Sequence, residues 1–439
     1  MSRELSREVI RVDLVQDPEA PQRLLRELFD AAVLAAQPEH CVPPWLPEDD
    51  GGPLLVLGAG KAAAAMARAV EAHWSGPLSG LVVTRYGHGL PTRHIEVVEA
   101  AHPVPDEAGE RAARRILELA RAAGPADRVL CLISGGGSSL LSLPAEGLSL
   151  ACKQALTGEL LRCGAAIDEI NTVRKHLSAI KGGRLAEALA PAESHTLVIS
   201  DVPGDDPSVI ASGPTVPDAS TSDQALAVLE RYGIDVPEAV RRHLKDPASE
   251  TPKPGAPCFQ STRLNCIATP ALSLRAAARR AREQGVVAAV LSDRLEGEAR
   301  DLGALHAELA HQARRGGGFG GLRLPLVLLS GGETTVTVTG KGRGGRNAEF
   351  LLGAALSLDD VPGIHALACD TDGIDGTEDN AGAVYHPGLM AEARARQVDG
   401  RQALADHDAY GFFQALDGLV VTGPTHTNVN DFRAFLILR

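Results

Sequence analysis

Lysine is scarce in this chain. Of 43 basic residues among 439, seven are lysine (61, 153, 175, 181, 245, 253 and 341), and arginine supplies the rest. An ammonium is a compact point charge and a guanidinium a planar fork, so a lysine that persists against this background asks for a reason. Positive charge as a whole is short: the net charge at pH 7 is −13, which argues against the basic patches that a nucleic-acid backbone requires. Long apolar runs are missing. No stretch approaches the ~18 residues that a membrane-spanning helix needs, so no membrane partner is expected. The opening stretch MSRELSREVIRVDL mixes charges with its apolar residues and lacks the apolar core of a signal peptide, and a cytoplasmic location is expected. Cysteine pairs are missing too: the seven cysteines are scattered, odd in number and without a C-x-x-C or zinc spacing, which reads as reduced core thiols.

What is present is an ordinary globular composition, 44% apolar and 23% charged, in a chain long enough for two or three domains, of which two are expected. Short apolar runs recur, most of them followed by a glycine-rich polar loop and a helical stretch. They are 54–57 before GAGK, 81–83 before TRYGHG, 129–133 before SGGGSS and 196–199 before SDVPGDD, then 326–329 before SGGET, 366–369 before DTDGIDG and 418–421 before TGPTHTN. This is the β-α alternation of a parallel sheet, in which ligands bind beyond the carboxyl ends of the strands. HLKDPASETPKPGAPCFQST (243–262), with four prolines and little periodicity, reads as a linker or long surface loop, and RRGGGFGG (314–321) as a second break.

GAGKAA (58–63) fits the permissive dinucleotide fingerprint G-x-G-x-x-A, with Gly58 for the turn and Gly60 for close approach to a ligand. The acidic residue expected near the end of the next strand is absent; that strand ends in Thr84-Arg85, which suits an NADP phosphate or nothing. A different reading makes Lys61 a point charge at a helix N-terminus, facing a phosphoryl group or an oxyanion, and a bland one makes it a snorkelling surface lysine. In ISGGGSSL (133–140), Ser134, Gly135, Gly136, Gly137, Ser138 and Ser139 offer backbone N–H groups and a following helix N-terminus as an anion cradle, against the alternative of a merely tight turn. Neither a P-loop nor a nucleophile elbow is present.

EINTVRKHLSAIKGG (169–183) sets Ile170, Val173, Leu177 and Ile180 on one helical face and Asn171, Lys175 and Ser178 on the other, flanked by Arg174 and Lys181. Lys175 is the first choice to meet a carboxylate; a solvated helix face is the alternative. In SDVPGDDPSVIASGPTVPD (200–218), Asp201 falls at a strand's carboxyl end, where it can hold Mg²⁺ or accept a hydroxyl proton, and Asp206 is a second metal candidate. Asp205 and Asp218 read as turn residues. SGGETTVTVTGKGRGGRNAEF (330–350) holds Glu333 and turns into Arg346, which opens a helix and can fork onto a carboxylate or phosphate; Arg343 has the same chemistry. DTDGIDGTEDNAGA (370–383) lacks the EF-hand spacing and reads as a carboxylate-lined loop for Mg²⁺ or ribose hydroxyls, through Asp370 and Asp372. Asn430 completes the candidate binding set. The fourteen histidines form no metal motif, and His176 and His426 read as ordinary hydrogen-bonding residues.

Taken in order, GAGKAAAAMA, LISGGGSSL, VRKHLSAIKGGRLA, SDVPGDDPSVIASGPTVPD, GKGRGGRNAEF, TDGIDGTEDNAGA and GPTHTNVND resemble the motifs of the class II glycerate kinases, from about residue 25 to the C-terminus. That family consists of ATP-dependent D-glycerate 2-kinases with a C-terminal MOFRL module, and many relatives carry a hydroxypyruvate reductase label. The resemblance implies an α/β fold: a larger Rossmann-like αβα N-terminal domain (1–250) and a smaller α/β C-terminal domain (251–439) holding the MOFRL module (about 322–435), with the active site in the cleft between them. It implies ATP and Mg²⁺ as cofactors, D-glycerate as the substrate phosphorylated at its C2 hydroxyl, and Lys61 and Arg346 in the places of the family's important lysine and arginine. A homodimer is left open. RNAEF stands where the family pattern has RNQE, THTN where it has TGTN, and Asn380 where a small residue is usual; by this resemblance His426 bears on fine substrate preference and not on reaction class. Two rivals stand beside this reading. One is an NADPH-dependent hydroxypyruvate reductase, supported by GAGKAA with Arg85; the other is a nucleotide-sensing binding protein.

Overall fold

The computed structural model describes residue 14 and residues 17–439. Two compact units result: residues 38–267 form one, and the described residues up to Gln37 join residues 268–439 in the other.

In the unit 38–267, strands β1 (Leu54–Ala59), β2 (Leu78–Arg85), β3 (Glu96–Ala100), β4 (Arg128–Ser134), β5 (Glu193–Ile199) and β6 (Thr262–Ala268) lie in the order β3-β2-β1-β4-β5-β6. The pairs β2–β3, β1–β2, β1–β4 and β4–β5 are all parallel. Covered on both faces, such strands are apolar throughout, as in β4, where residues 129–134 are buried without alternation. This doubly wound order reverses between β1 and β4, and the chain leaves those two strands in opposite directions, opening a crevice at their carboxyl ends. The edge strands β3 and β6 escape a search for apolar runs because they are half-exposed and carry charged or polar residues.

The proline-rich stretch 243–262 is not a linker. It folds back within this unit: Thr251 is buried, Glu250 accepts from the Ser222 amide at 3.0 Å, and His176 Nε2 lies 2.9 Å from the Glu250 carboxylate. Polar side chains with partners inside the unit, invisible in a composition count, hold it down.

In the other unit, β7 (Val287–Glu298), β10 (Leu326–Thr335), β11 (Ile364–Asp370), β12 (Gly382–Tyr385), β13 (Leu419–Val420) and β14 (Asp431–Ile437) form a sheet in the order β13-β12-β11-β14-β10-β7. Here the expected parallel alternation is only partly met. β14 runs antiparallel to both β10 and β11, and only β7 and β10 pair in parallel. The glycine-rich break at 314–321 leads into a small hairpin, β8 (Gly318–Phe319) and β9 (Leu322–Arg323), turning through Gly320 and Gly321, both at positive φ as a tight hairpin turn demands.

The helix Ala20–Ala36 belongs to this second unit, which moves the domain boundaries from the expected 1–250 and 251–439. Its buried face, Leu24, Leu25, Leu28 and Phe29, packs with Leu274, Ala277 and Ala281 of the helix Pro270–Glu283 and with Phe432 and Leu436 of β14. The Phe29 and Phe432 ring centroids are 5.8 Å apart. An amphipathic helix goes where its apolar stripe finds a partner, whatever its place in the chain.

Candidate functional site

The crevice between β1 and β4 gathers the first group. Gly58 and Gly60 are required there, but not for a ligand: a Cβ on Gly58 would overlap the Leu132 carbonyl oxygen and one on Gly60 the Ser134 hydroxyl. The close approach that the fingerprint reserves for a pyrophosphate is taken by β4 itself. Ser134 Oγ accepts from the Ala62 amide at 3.0 Å, Lys61 N donates to Gly135 O at 2.8 Å, and Thr84 Oγ1 donates to Lys61 O at 3.2 Å. The Lys61 backbone is thereby pinned between the ends of β2 and β4.

Two further groups border the same turn. The Asp201 carboxylate occupies the space where a Gly135 side chain would be. A Cβ on Gly136, at φ 78°, would lie 3.0 Å from His102 Nε2 and 3.3 Å from Lys61 Cγ. Lys61, His102 and Asp201 therefore surround the Gly135-Gly136 backbone, whose lack of side chains keeps room between them. Gly135→Ala should force the Asp201 carboxylate aside, and we expect turnover to fall about tenfold or more with the fold retained, the order expected when a group is misplaced by about an ångström; unchanged turnover would show that Asp201 has no part in it.

The expected helix N-terminus behind the Gly135–Ser139 turn is slight, since the helix Gly137–Leu140 has only four residues. The turn is held from beneath instead. Lys181, fully buried, donates from Nζ to Ser138 O at 2.7 Å and to Ala211 O at 3.4 Å, and Ser138 Oγ lies 2.8 Å from Ser212 Oγ. Ala211 and Ser212 both adopt left-handed φ, 52° and 60°, a strained geometry of the kind found where a loop is over-determined by its surroundings.

The polar face expected on residues 169–183 is buried. Lys175 meets a carboxylate, but an internal one: its Nζ donates to Asp218 Oδ1 at 3.3 Å, both side chains lying inside the unit. Asp218, read as a turn residue, also accepts from Ser220 Oγ at 2.8 Å and Thr251 Oγ1 at 3.1 Å. Asn171 is buried on the same helix. Asp206 is exposed and accepts from the Ser208 amide at 2.8 Å, a turn contact.

Lys153, which no motif includes, stands out. It is buried in the helix Leu150–Arg162, and its Nζ has no hydrogen-bond partner among the described residues. Burial, with the positive charges of Arg174 and Arg184 nearby, pushes its pKa down to about 7. The unfolded chain then binds the proton more tightly than the native one between pH ~7 and ~10.4, so stability rises with pH across that window. Lys153→Met should be the more stable protein in thermal unfolding at pH 7, with the gap closing toward pH 10; a less stable variant would mean that the ammonium is satisfied.

In the other unit the sheet register creates a charge problem and Arg346 answers it. Asp431, at the start of β14, pairs in register with Asp370 at the end of β11 and with Gly332 next to Glu333 on β10. Arg346 reaches all three carboxylates: Nε to Asp431 at 2.7 Å, Nη1 to Glu333 at 2.7 Å and Nη2 to Asp370 at 2.9 Å. Burial opposes its charge, yet the three carboxylates hold its pKa well above the ordinary value. Arg433, fully buried, pairs with Asp431 through Nη2 and places its guanidinium 4.8 Å from the Phe350 ring centroid. Asp375 accepts from the amides of Asn347 at 2.9 Å and Ala348 at 2.8 Å, capping the helix Arg346–Leu358; burial pushes its carboxyl up to about 6. The carboxylates of 370–383 thus have separate tasks. Asp370 meets Arg346, Asp372 accepts from the Ile374 amide at 2.9 Å, and Asp375 caps a helix. Among the described residues no group of three His, Cys, Asp or Glu side chains is arranged to hold a metal ion. Asn430, at φ 63°, presents its carbonyl to Thr371 N at 3.1 Å and Thr371 Oγ1 at 2.6 Å.

Sequence reading misses His102, Lys153, Asp431 and Arg433. Lysine scarcity is a signal that could have found Lys153, and Asp431 closes a recognised motif, whereas His102 and Arg433 carry no mark.

Comparison with known proteins bears on the fold and the family. Residues 24–245 match a domain of unknown function, DUF4147, and residues 326–431 the MOFRL family. A protein of Agrobacterium vitis that bears the provisional name hydroxypyruvate reductase is 52% identical over 95% of this chain and 94% of its own. The D-glycerate 2-kinase of Thermotoga maritima is 41% identical over 96% of this chain and its own full length. The crystal structure of the Thermotoga maritima glycerate kinase superposes with a TM-score of 0.88, again over 96% of this chain and all of that one. With DUF4147 and MOFRL regions in one chain and this likeness along nearly its whole length, the protein belongs to the glycerate 2-kinase family.

Proposed function

We propose that the protein transfers the γ-phosphoryl group of ATP to the C2 hydroxyl of D-glycerate, giving 2-phosphoglycerate and ADP. The observation that carries this is the grouping of Lys61 and Asp201 around a side-chain-free Gly135-Gly136 turn at the sheet's switch point. A bond forms between the glycerate C2 oxygen and the γ-phosphorus as the bond to the β–γ bridging oxygen breaks, and the hydroxyl proton leaves to Asp201. Phosphoryl transfer asks the protein mainly for positioning and charge neutralisation, which we assign to Lys61 and the backbone amides of the turn. Mg²⁺ generally takes one or two carboxylates and completes its shell with phosphate oxygens and water, so Asp201 alone suits it as the protein ligand. Mg²⁺ would supply further neutralisation of phosphate charge. Arg346 retains N–H groups beyond its three carboxylate contacts, and we assign it to an anionic group of a substrate.

The hydroxypyruvate reductase reading finds less support, because the glycines that a dinucleotide would approach face β4 backbone and side chain. Incubation with D-glycerate, ATP and Mg²⁺ while following ADP, beside incubation with hydroxypyruvate and NADPH while following absorbance, separates the two. Stoichiometric ADP and a phosphorylated C2 carbon in the product's NMR spectrum are expected; NADPH oxidation without ADP would sink the kinase proposal.

A further inference from the structure

A cavity of about 370 Å³ opens beside the Gly136–Ser139 turn, within the size range of small-molecule sites. Among the described residues its charged lining is wholly positive, from Lys153, Arg174 and Lys181, in a chain whose net charge is −13. Lys153 points to a ligand. The residue is 6% exposed, its Nζ lacks a partner among the described residues, and an ammonium left so is costly unless something anionic joins it. Arg174 has the same character: burial lowers its pKa and no carboxylate offsets the effect.

The rim of the cavity is different. Val104 and Leu161, 64% and 58% exposed, flank it together with Pro103 and Pro105. Apolar rim and cationic interior suit a molecule that is flat and weakly polar at one end and anionic at the other; a three-carbon hydroxy acid would leave the rim unfilled. Gly136 and His102 line this cavity and also border Lys61, so an anionic chain leaving it past Ser138 and Ser139 emerges at Lys61.

We propose that this cavity is the nucleotide half of the site: it takes a nucleoside triphosphate, with the base against Val104 and Leu161, the phosphates against Lys153 and Arg174, and the terminal phosphoryl group presented at Lys61. This rests on the kinase reading above.

Two variants of the whole chain test it. Lys153→Met should raise both the Kd for ATP in calorimetric titration and the KM for ATP about tenfold or more, the loss of one charge-assisted contact, while the KM for D-glycerate stays in place. Gly158 lines the cavity, and a Cβ there meets nothing within 4 Å, so Gly158→Phe should fold and block ATP in the same sense by occupying the space. ATP binding unchanged in both variants, or a change confined to D-glycerate, overturns the assignment. A wild-type protein that forms no ADP overturns the kinase reading instead, and the ATP titrations still judge the cavity.

Discussion

Lys61→Ala is expected to lower kcat about 10²–10³-fold or more, with circular dichroism and melting behaviour near those of the parent, because the side chain is lost where charge develops on the transferring group. The backbone of Lys61 is fixed by Gly135 O and Thr84 Oγ1, neither of which the substitution touches, so the ammonium is removed from an otherwise prepared turn. Lys61→Arg should recover little, since a planar guanidinium fork does not reproduce a compact point charge. A Lys61→Ala protein with near-normal kcat would remove this residue from the chemistry and, with it, the reason for reading the turn as a phosphoryl site.

The second large effect is on stability. Asp431 is buried between two arginines; burial disfavours its ionisation, but Arg346 and Arg433 hold its carboxyl below the ordinary range. Asp431→Asn keeps the shape and removes the charge, leaving the fully buried Arg433 without a carboxylate and Asp370 and Glu333 to share Arg346. Breaking a buried pair on one side costs about 3–5 kcal/mol, which for a domain of this size moves Tm by about 2–4 °C per kcal/mol. Scanning calorimetry should show the loss in the unit containing β14, and a shift below ~1 kcal/mol would mean that water or a neighbour replaces the charge.

The inner strands of the unit 38–267, β1, β2, β4 and β5, were legible because burial writes them as apolar runs before polar loops. β14 was not, since DFRAFLI carries Asp and Arg inside a strand whose seven residues are all buried. A charge pair internal to the fold looks the same in sequence as two surface charges. The glycines of GAGK read as one for a turn and one for close approach to a ligand, whereas the bodies a Cβ would meet there are Leu132 and Ser134, which only the strand order brings alongside. Lys175 shows the same limit. Its need for a carboxylate was legible, but its partner, Asp218, comes from a distant stretch that local pattern assigns to a turn.

The helix Ala20–Ala36 is synthesised before the elements that cover it. Its partners, the helix Pro270–Glu283 and β14, are made only after the whole of 38–267. During synthesis the inserted unit can close on its own core while Leu24, Leu25, Leu28 and Phe29 wait in water, a stretch for a chaperone to hold or for another nascent chain to capture. Expression yield should therefore be more sensitive to those four side chains than their share of the final core suggests.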